Sequence, residues 1–477
     1  MRAQPREPLV LQLAGTVTRA DKQASDYRLV PFDVPPGAQR LRVEYAYAGN
    51  DPAAGGFGER PVLDIGAFDP RGSDFLAGLG FRGWSGGARS AFEIGPSEAT
   101  PGYLPGPIHP GRWQILLGLY RIPSAGCRYE ITITLAFEPA SAPAPQATRP
   151  DPPRSAQARW YAGDLHNHTH HSDAVGSLAE LAAAARTWGL DFIAVTEHNT
   201  TSHIPLLGEH QADDLLLIPG QEITTYYGHA NSWGTTSWYD FRCRDAADMA
   251  RVAHAVHAAG SLFSINHPQD KGSPWTYGLL DQADCLEVWQ GPWLPHNAEA
   301  LALWDGELAR GRRWVGVGGS DNHQGLESHI RAGRHIGLPT TWVYAEALTP
   351  AAILAGIRAG HVMIAQGAAG PRLYLEADAD GDGRYEAMMG DEICVRPGAM
   401  VRWRCRAEGA QGLRLRWVSP GGEAVLPVTA ARWAHHWEAP ALKESYLRAE
   451  LLAGEDEDDA SLTPRLALTN PIYLRAS

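Results

Sequence analysis

The sequence predicts an α/β barrel carrying a β domain on each side. Three observations lead there. The chain has 477 residues, and at roughly 150 residues per domain that length suggests about three domains. Short alternating β runs occupy both ends of the chain, and in the middle apolar strands alternate with helical stretches.

Residues 1–140 read as β structure. LVLQLAGTVT, YRLVPFDV, QRLRVEYAY, VLDIGAF and YEITITLAF alternate or are β-branched, and Gly, Pro and Asp separate them, the pattern of a sandwich-like domain. Residues 141–158 fall in a Pro- and Ala-rich stretch that begins at Glu138 and has no apolar periodicity, so they read as a semi-rigid linker. Residues 159–370 form the barrel. Its strands are DFIAVTEH, DLLLIPGQEI, SLFSINHP, CLEVWQG and WVGVGGSDNH. One helix starts at a capping box, Ser177 to Glu180, and runs to Gly189; others fit Asp245 to Ala259, Ala298 to Arg310 and Pro350 to Ala359. Each strand ends in polar or ionisable residues, as in barrels whose chemistry sits at the C-terminal edge. Residues 371–477 return to β character. Val401, Trp403 and Cys405 alternate with Arg402, Arg404 and Arg406, giving one buried and one wet face. The acidic run Glu455 to Asp459 reads as a solvated loop.

Lys plus Arg total 41 against 54 Asp plus Glu, a net charge of −13, which excludes a protein built to coat long nucleic acid or anionic lipid. The middle segment carries most of this, with a net −10 over residues 151–370 and 16 of the 19 histidines. Imidazoles and carboxylates concentrated at strand ends point to bound divalent cations. Five scattered cysteines without a C-x-x-C pair support neither a thiolate zinc site nor a disulfide framework. The N-terminal apolar stretch LVLQLAG is too short for a signal peptide, and no stretch reaches the ~20 apolar residues of a membrane span. A cytoplasmic location without a membrane partner is expected.

Five strand ends supply the candidate ligands. GDLHNHTHHSD gives His166 and His168 in an i, i+2 pair, which on an extended strand face the same side and can share one cation. TEHN gives His198. PGQEITTYYGHANSWG gives Glu222 and His229, INHP gives His267, and GGSDNH gives Asp321 and His323. Any one of these reads most simply as a hydrogen-bonded loop residue. The whole set, each member after a predicted strand, does not.

At these residues the sequence resembles the PHP superfamily, the fold of polymerase-associated and histidinol-phosphate phosphatases, and within it the CehA/McbA-like branch of metallohydrolases. The resemblance covers residues 159–370; the flanking β segments, including the closing TNPIYL, share it more weakly. It implies a distorted (β/α)7 barrel with two or three metals. His166 and His168 would hold the first metal with Glu222 and Asp321. Glu222 would bridge to a second, completed by His229 and His267. Asp173, His198 and His323 would bind a third. Glu222, Asp321 and His323 are the residues expected to carry catalysis.

Nitrogen and oxygen ligands without thiolate suit Mn, Zn or Fe. Three dications against three ligand carboxylates leave excess positive charge, which favours an anionic substrate such as a phosphoester. Phosphomonoester or phosphodiester hydrolysis is therefore the leading expectation, on a small ester with an aromatic or nucleotide moiety. Carbamate or aryl-ester hydrolysis of the carbaryl type uses the same metals, and a non-catalytic, metal-stabilised scaffold is the third reading. Oligomeric state is left open.

Supporting residues are also marked. Trp233, Trp238, Trp275, Trp289, Trp293 and Trp304 either line an aromatic pocket or pack the barrel. Asp164 and Glu197 flank ligands and are placed to orient imidazoles. Lys271, Arg331, Arg334 and His335 either neutralise substrate charge or sit in solvent. D-A-D-G-D-G, Asp378 to Gly383, matches the start of a calcium loop. Position twelve is Met389 rather than glutamate, so a tight acidic turn is the reading preferred over a structural Ca at Asp378, Asp380 and Asp382.

Overall fold

The computed structural model describes residues 6–48, 60–138, 155–211, 214–278, 280–323, 334–441, 445–454 and 463–476. Most of the predicted linker, Arg331 and the acidic run Glu455 to Asp459 lie outside the described residues.

The N-terminal region is two four-stranded antiparallel sheets. One contains the strands Leu9–Val17, Cys127–Ala136, Arg40–Tyr47 and Ala91–Ile94; the other contains Tyr27–Val34, Gly111–Arg121, Val62–Phe68 and Phe81–Gly86. Alternation dictates the packing. Leu41 and Val43 from the first sheet and Ile65, Trp113 and Ile115 from the second are fully buried in one apolar cluster, as period-two strands require when one face is covered.

The central region is a curled sheet. Strands Arg159–Asp164, Phe192–Val195 and Leu216–Thr225 run parallel. Gly228–Trp233 pairs antiparallel with Leu216–Thr225 and with Leu262–Ile265. Cys285–Gln290 and Val315–Gly319 then continue in parallel. The seventh strand returns to the first: Asp321 N–H donates to His166 O at 3.0 Å and His168 N–H to Asn322 O at 3.2 Å. The ring therefore meets itself at the residues just beyond its strands, and the expected ligands project there.

Helices pack outside this ring. Leu178–Thr187 has the predicted capping box, with Ser177 accepting from Glu180 N–H and Glu180 reaching back. Ala246–Ala258 is capped by Asp245, and Pro350–Arg358 by Thr349. Pro295–Ala309 starts three residues earlier than its apolar pattern suggests, because Pro295 suits a first helical turn. No helix among the described residues is long and apolar enough to cross a membrane.

Beyond residue 370 a four-stranded sheet, containing Arg372–Asp378 and Met400–Glu408, buries Val401, Trp403 and Cys405 as the alternation requires. The other C-terminal strands are continuous with the central sheet, because Arg465–Thr469 pairs antiparallel with Val362–Ala365. All five cysteines are unpaired.

Candidate metal centre

All nine predicted ligands converge at the mouth of the ring. Glu222, fully buried, is the hub. Its Oε1 lies 3.3 Å from His166 Nε2, 3.2 Å from His229 Nδ1 and 3.5 Å from His267 Nε2. Its Oε2 lies 3.6 Å from His168 Nε2 and 2.6 Å from His198 Nδ1. Asp321 Oδ1 stands 3.4 Å from His166 Nε2 and 3.1 Å from His168 Nε2. Asp173 Oδ1 closes the outer side, 3.5 Å from His198 Nε2 and 3.3 Å from His323 Nε2.

These are approaches without hydrogen bonds at several of the buried atoms. His166 Nε2, both ring nitrogens of His168, His267 Nδ1 and Asp321 Oδ1 are buried with no hydrogen-bond partner. Buried polar atoms left unpaired are rare and costly. Two ligands each about 2.0–2.2 Å from one cation sit about 3.0–3.5 Å apart in tetrahedral or octahedral geometry. The spacing and the missing hydrogen bonds therefore fit lone pairs aimed at shared cations. Four overlapping groups have donor atoms close enough for one ion: His166, His168 and Glu222; Glu222, His229 and His267; His168, His198 and His323; and His166, His267 and Asp321.

Local structure holds these side chains in place. A Cβ on Gly319 would lie 2.4 Å from His166 Cβ, so only glycine lets the last strand approach the first here. Of the four non-glycine residues with positive φ among those described, Asn199, His267 and Asp321 (57°, 24° and 49°) are at the site, where backbone strain commonly collects. Asn199 locks its own turn: its side chain donates to Thr224 O and accepts from Thr224 N–H, both at 2.8 Å.

Charge follows from burial and neighbours. Burial, aided by His198 and His323, pushes His168 down to about 3, so this imidazole is neutral and able to ligate. Burial works to raise Glu222 and Asp321, but the surrounding imidazoles outweigh it and hold both carboxyls well below the usual range.

The supporting residues differ from expectation. Asp164 and Glu197 do not orient imidazoles. Asp164 accepts the backbone N–H groups of His166, Ser320 and Gly337 at 3.1, 3.1 and 2.7 Å. Glu197 accepts Thr169 N–H at 2.9 Å and the hydroxyls of Thr169 and Ser172 at 2.5 Å. Both pin loops, because their neighbours offer N–H and O–H donors before any ring nitrogen. The residue that does hold an imidazole is Glu287, which the sequence reading missed. Its Oε1 lies 2.9 Å from His166 Nδ1, and its Oε2 accepts His267 N–H at 2.9 Å. The signal was a carboxylate inside the otherwise apolar strand Cys285–Gln290, since buried Glu is almost always paired. Gln290 and Asn266 were missed too; they donate to Asp321 Oδ2 at 2.5 Å and to Glu222 Oε1 at 2.9 Å.

Two cavities flank the centre. One, of about 550 Å³, is lined by Asp321, His323, Asp270, His296, Arg334 and His335; Lys271 is exposed and lines neither cavity. The other, of about 600 Å³, joins Asp173, His198 and His229 to Tyr27, Asp64, Trp84 and Tyr120 of the N-terminal region. None of the six marked tryptophans lines either one, which overturns the pocket reading for them. Five spend their indole N–H on backbone carbonyls: Trp233 on Leu165, Trp238 on Asn199, Trp275 on Gly278, Trp289 on Gly291 and Trp304 on Trp314. Trp293 packs edge-on against Trp289. They are packing residues.

Residues 164–251 match the family model of the PHP domain. The matched stretch includes His166, His168, Asp173, His198, Glu222 and His229, whereas His267, Asp321 and His323 follow it. No curated protein matches the chain. Among solved structures, a two-domain protein from Bacteroides vulgatus, described as containing a predicted PHP-like metal-dependent phosphoesterase, is 17% identical with a TM-score of 0.39, covering 67% of this chain and 99% of its own. A protein from Bifidobacterium adolescentis proposed as a metal-dependent phosphoesterase is 16% identical with a TM-score of 0.26, covering 34% of this chain and 87% of its own. An amidohydrolase from Chromobacterium violaceum is 14% identical with a TM-score of 0.25, covering 35% of this chain and 88% of its own. At these scores the likenesses carry no argument about this chain.

Proposed function

We propose that this protein is a metal-dependent phosphoesterase of the CehA/McbA-like branch, with a distorted (β/α)7 PHP barrel holding two or three divalent ions. The observation that carries the reading is the set of buried, unpaired ligand atoms around Glu222. His166, His168, Glu222 and Asp321 would hold one ion; Glu222, His229 and His267 a second; Asp173, His198 and His323 a third. Bound divalent cations neutralise an anionic ester and acidify water for attack.

The chain's own residues do the rest. Glu222 faces imidazoles of more than one proposed ion group, with Oε1 near His166, His229 and His267 and Oε2 near His168 and His198, which places its carboxylate to bridge. Glu287 holds His166 Nδ1, which fixes the tautomer that leaves Nε2 as the inward lone pair. Gln290 engages Asp321 Oδ2, which keeps Oδ1 for the centre. The two cavities give a small ester room on both sides of the reacting group.

Elemental analysis of purified protein with turnover of a phosphomonoester, a phosphodiester, an aryl carbamate and an aryl carboxyl ester tests this. Two or three metals per chain with phosphoester turnover is the expected result. Metal-loaded protein that hydrolyses only the carbamate or carboxyl ester would move the assignment to a carbonyl hydrolase. Protein without bound metal in the presence of excess Mn²⁺ and Zn²⁺ would end both.

A further inference from the structure

The larger cavity has a wall that the metal chemistry does not use. Tyr27, Trp84, Tyr120 and Tyr226 line it opposite Asp173, His198 and His229. Their rings touch: Tyr27 stacks on Tyr226 at 5.7 Å, Tyr120 lies 5.2 Å from Tyr226, and Trp84 meets Tyr27 edge-on at 6.3 Å. Behind the rings is Asp64, only 9% exposed yet lining the cavity. Its Oδ2 accepts the Tyr226 hydroxyl at 2.6 Å. Among the described residues no hydrogen bond reaches its Oδ1. Among the described residues no Lys or Arg lines this cavity. Lys22 packs its ammonium 4.8 Å over the Tyr226 ring, but it is engaged with Asp26 at 2.8 Å.

A buried carboxylate set among electron-rich ring faces, with Lys22 as a nearby cation that lies outside the cavity lining, matches an ammonium. A neutral aryl group would leave Asp64 Oδ1 buried and unpaired, and a nucleotide would bring further negative charge toward Asp64 and Asp173. We infer that this cavity seats an ammonium-bearing alcohol, so that the substrate is a phosphate ester of an amino or quaternary-ammonium alcohol whose phosphoryl group lies at the metal centre. This rests on the phosphoesterase reading and narrows it. Burial lifts the Asp64 carboxyl to about 6, and an ammonium beside it would offset that penalty. The wall is held rigidly. A Cβ on Gly118 would lie 2.2 Å from the Tyr226 hydroxyl, so glycine in the strand Gly111–Arg121 leaves the space that keeps Tyr226 on Asp64.

The test compares phosphocholine with 3,3-dimethylbutyl phosphate, which has the same shape without the charge, on the full-length Mn²⁺-loaded protein. The expected kcat/KM ratio is about 30-fold in favour of phosphocholine, the worth of a desolvated cation–π contact, falling to within about twofold of unity in Asp64→Asn. Tetramethylammonium binding, followed by calorimetry, is expected for the native protein and weakened about 10-fold in Asp64→Asn. Tyr120→Leu, at an exposed position that folding tolerates, should weaken tetramethylammonium in the same direction. A ratio near unity in the native protein, or an equal ratio in native and Asp64→Asn proteins, would overturn the inference. If neither ester turns over, tetramethylammonium binding decides alone: binding retained sinks the phosphoesterase reading and keeps the ammonium site, and binding absent sinks both.

Discussion

Two regions of this molecule gather possible ligands within reach of a single ion, and only one leaves buried donor atoms unpaired. At the mouth of the ring, donor atoms of His166, His168, His267 and Asp321 are buried without hydrogen bonds. At the turn from Asp378, the carboxylates Asp378, Asp380 and Glu386 also come close enough for a cation. There Asp378 accepts Gly381 N–H at 2.7 Å and Gly383 N–H at 3.0 Å, Asp380 accepts Asp382 N–H at 3.0 Å, and Glu386 accepts Ala379 N–H at 2.9 Å. Arg402 adds a cation 3.6 Å from Asp378. Proximity of acids is therefore a weak sign of an ion site; buried donors with no other partner are a strong one. The turn is built from its own amides.

The largest effect that would break this contrast is at its hub. Glu222→Gln removes the charge from the one side chain facing five imidazoles. Replacing even a residue behind a ligand typically costs about 10–100-fold, so loss of the hub should exceed about 100-fold in turnover and lower the metal count by at least one. Elemental analysis beside a phosphoester assay checks it, and a full metal complement in Glu222→Gln would remove Glu222 from the bridge.

Glu287→Gln comes next. Its carboxylate touches His166 Nδ1 and His267 N–H and is not itself an expected ligand, so the loss should be about 10–100-fold in metal affinity. Metal competition with a chromophoric chelator measures this. Unchanged affinity would reduce Glu287 to loop packing, the role Asp164 already has.

What the sequence disclosed and concealed follows from where each residue lies. His166, His168, His198, His229, His267, Asp321 and His323 interrupt apolar strands at their ends, so each breaks a local period and is legible. Glu287 sits between buried Leu286 and Val288 and reads as more strand. The hairpin of Leu216–Thr225 with Gly228–Trp233 was hidden, because Tyr226 and Tyr227 do not resemble a turn and the neighbouring strands run parallel. The pairing of Arg465–Thr469 with Val362–Ala365 and the approach of Asp64 to Tyr226, 162 positions away, join residues more than a hundred positions apart, and such contacts leave no local pattern.

Asp164→Asn sharpens the contrast within the ring itself. Asp164 is as buried as Glu222, but both its oxygens are occupied by backbone N–H groups. By the same rule it is structural. An amide in its place can accept from only one oxygen and turns a donor toward an N–H, a penalty of about 1–3 kcal/mol. Denaturant unfolding should show that loss while the metal count per folded chain stays the same; a fall in metal count would show that satisfied carboxylates also serve the centre.

The smallest expected effect is at the acidic turn, and it bears on the rule most directly. Asp380 is exposed and its one backbone bond is local, so Asp380→Asn keeps an oxygen for Asp382 N–H and should change stability by no more than about 0.5 kcal/mol. A ligand that binds only the folded state at 100 times its Kd would add about 2.7 kcal/mol, so a real calcium site here would raise the unfolding midpoint in millimolar Ca²⁺ and lose that rise in Asp380→Asn. With the turn amides and Arg402 already stabilising these carboxylates, Ca²⁺ gains less here than at oxygens with no partner. Thermal unfolding should therefore be indifferent to Ca²⁺ in both proteins, while Mn²⁺ or Zn²⁺ raises the midpoint through the centre around Glu222. A calcium-dependent rise abolished by Asp380→Asn would mean that amide-satisfied carboxylates can still recruit an ion, and the distinction between the two regions would then rest on burial alone.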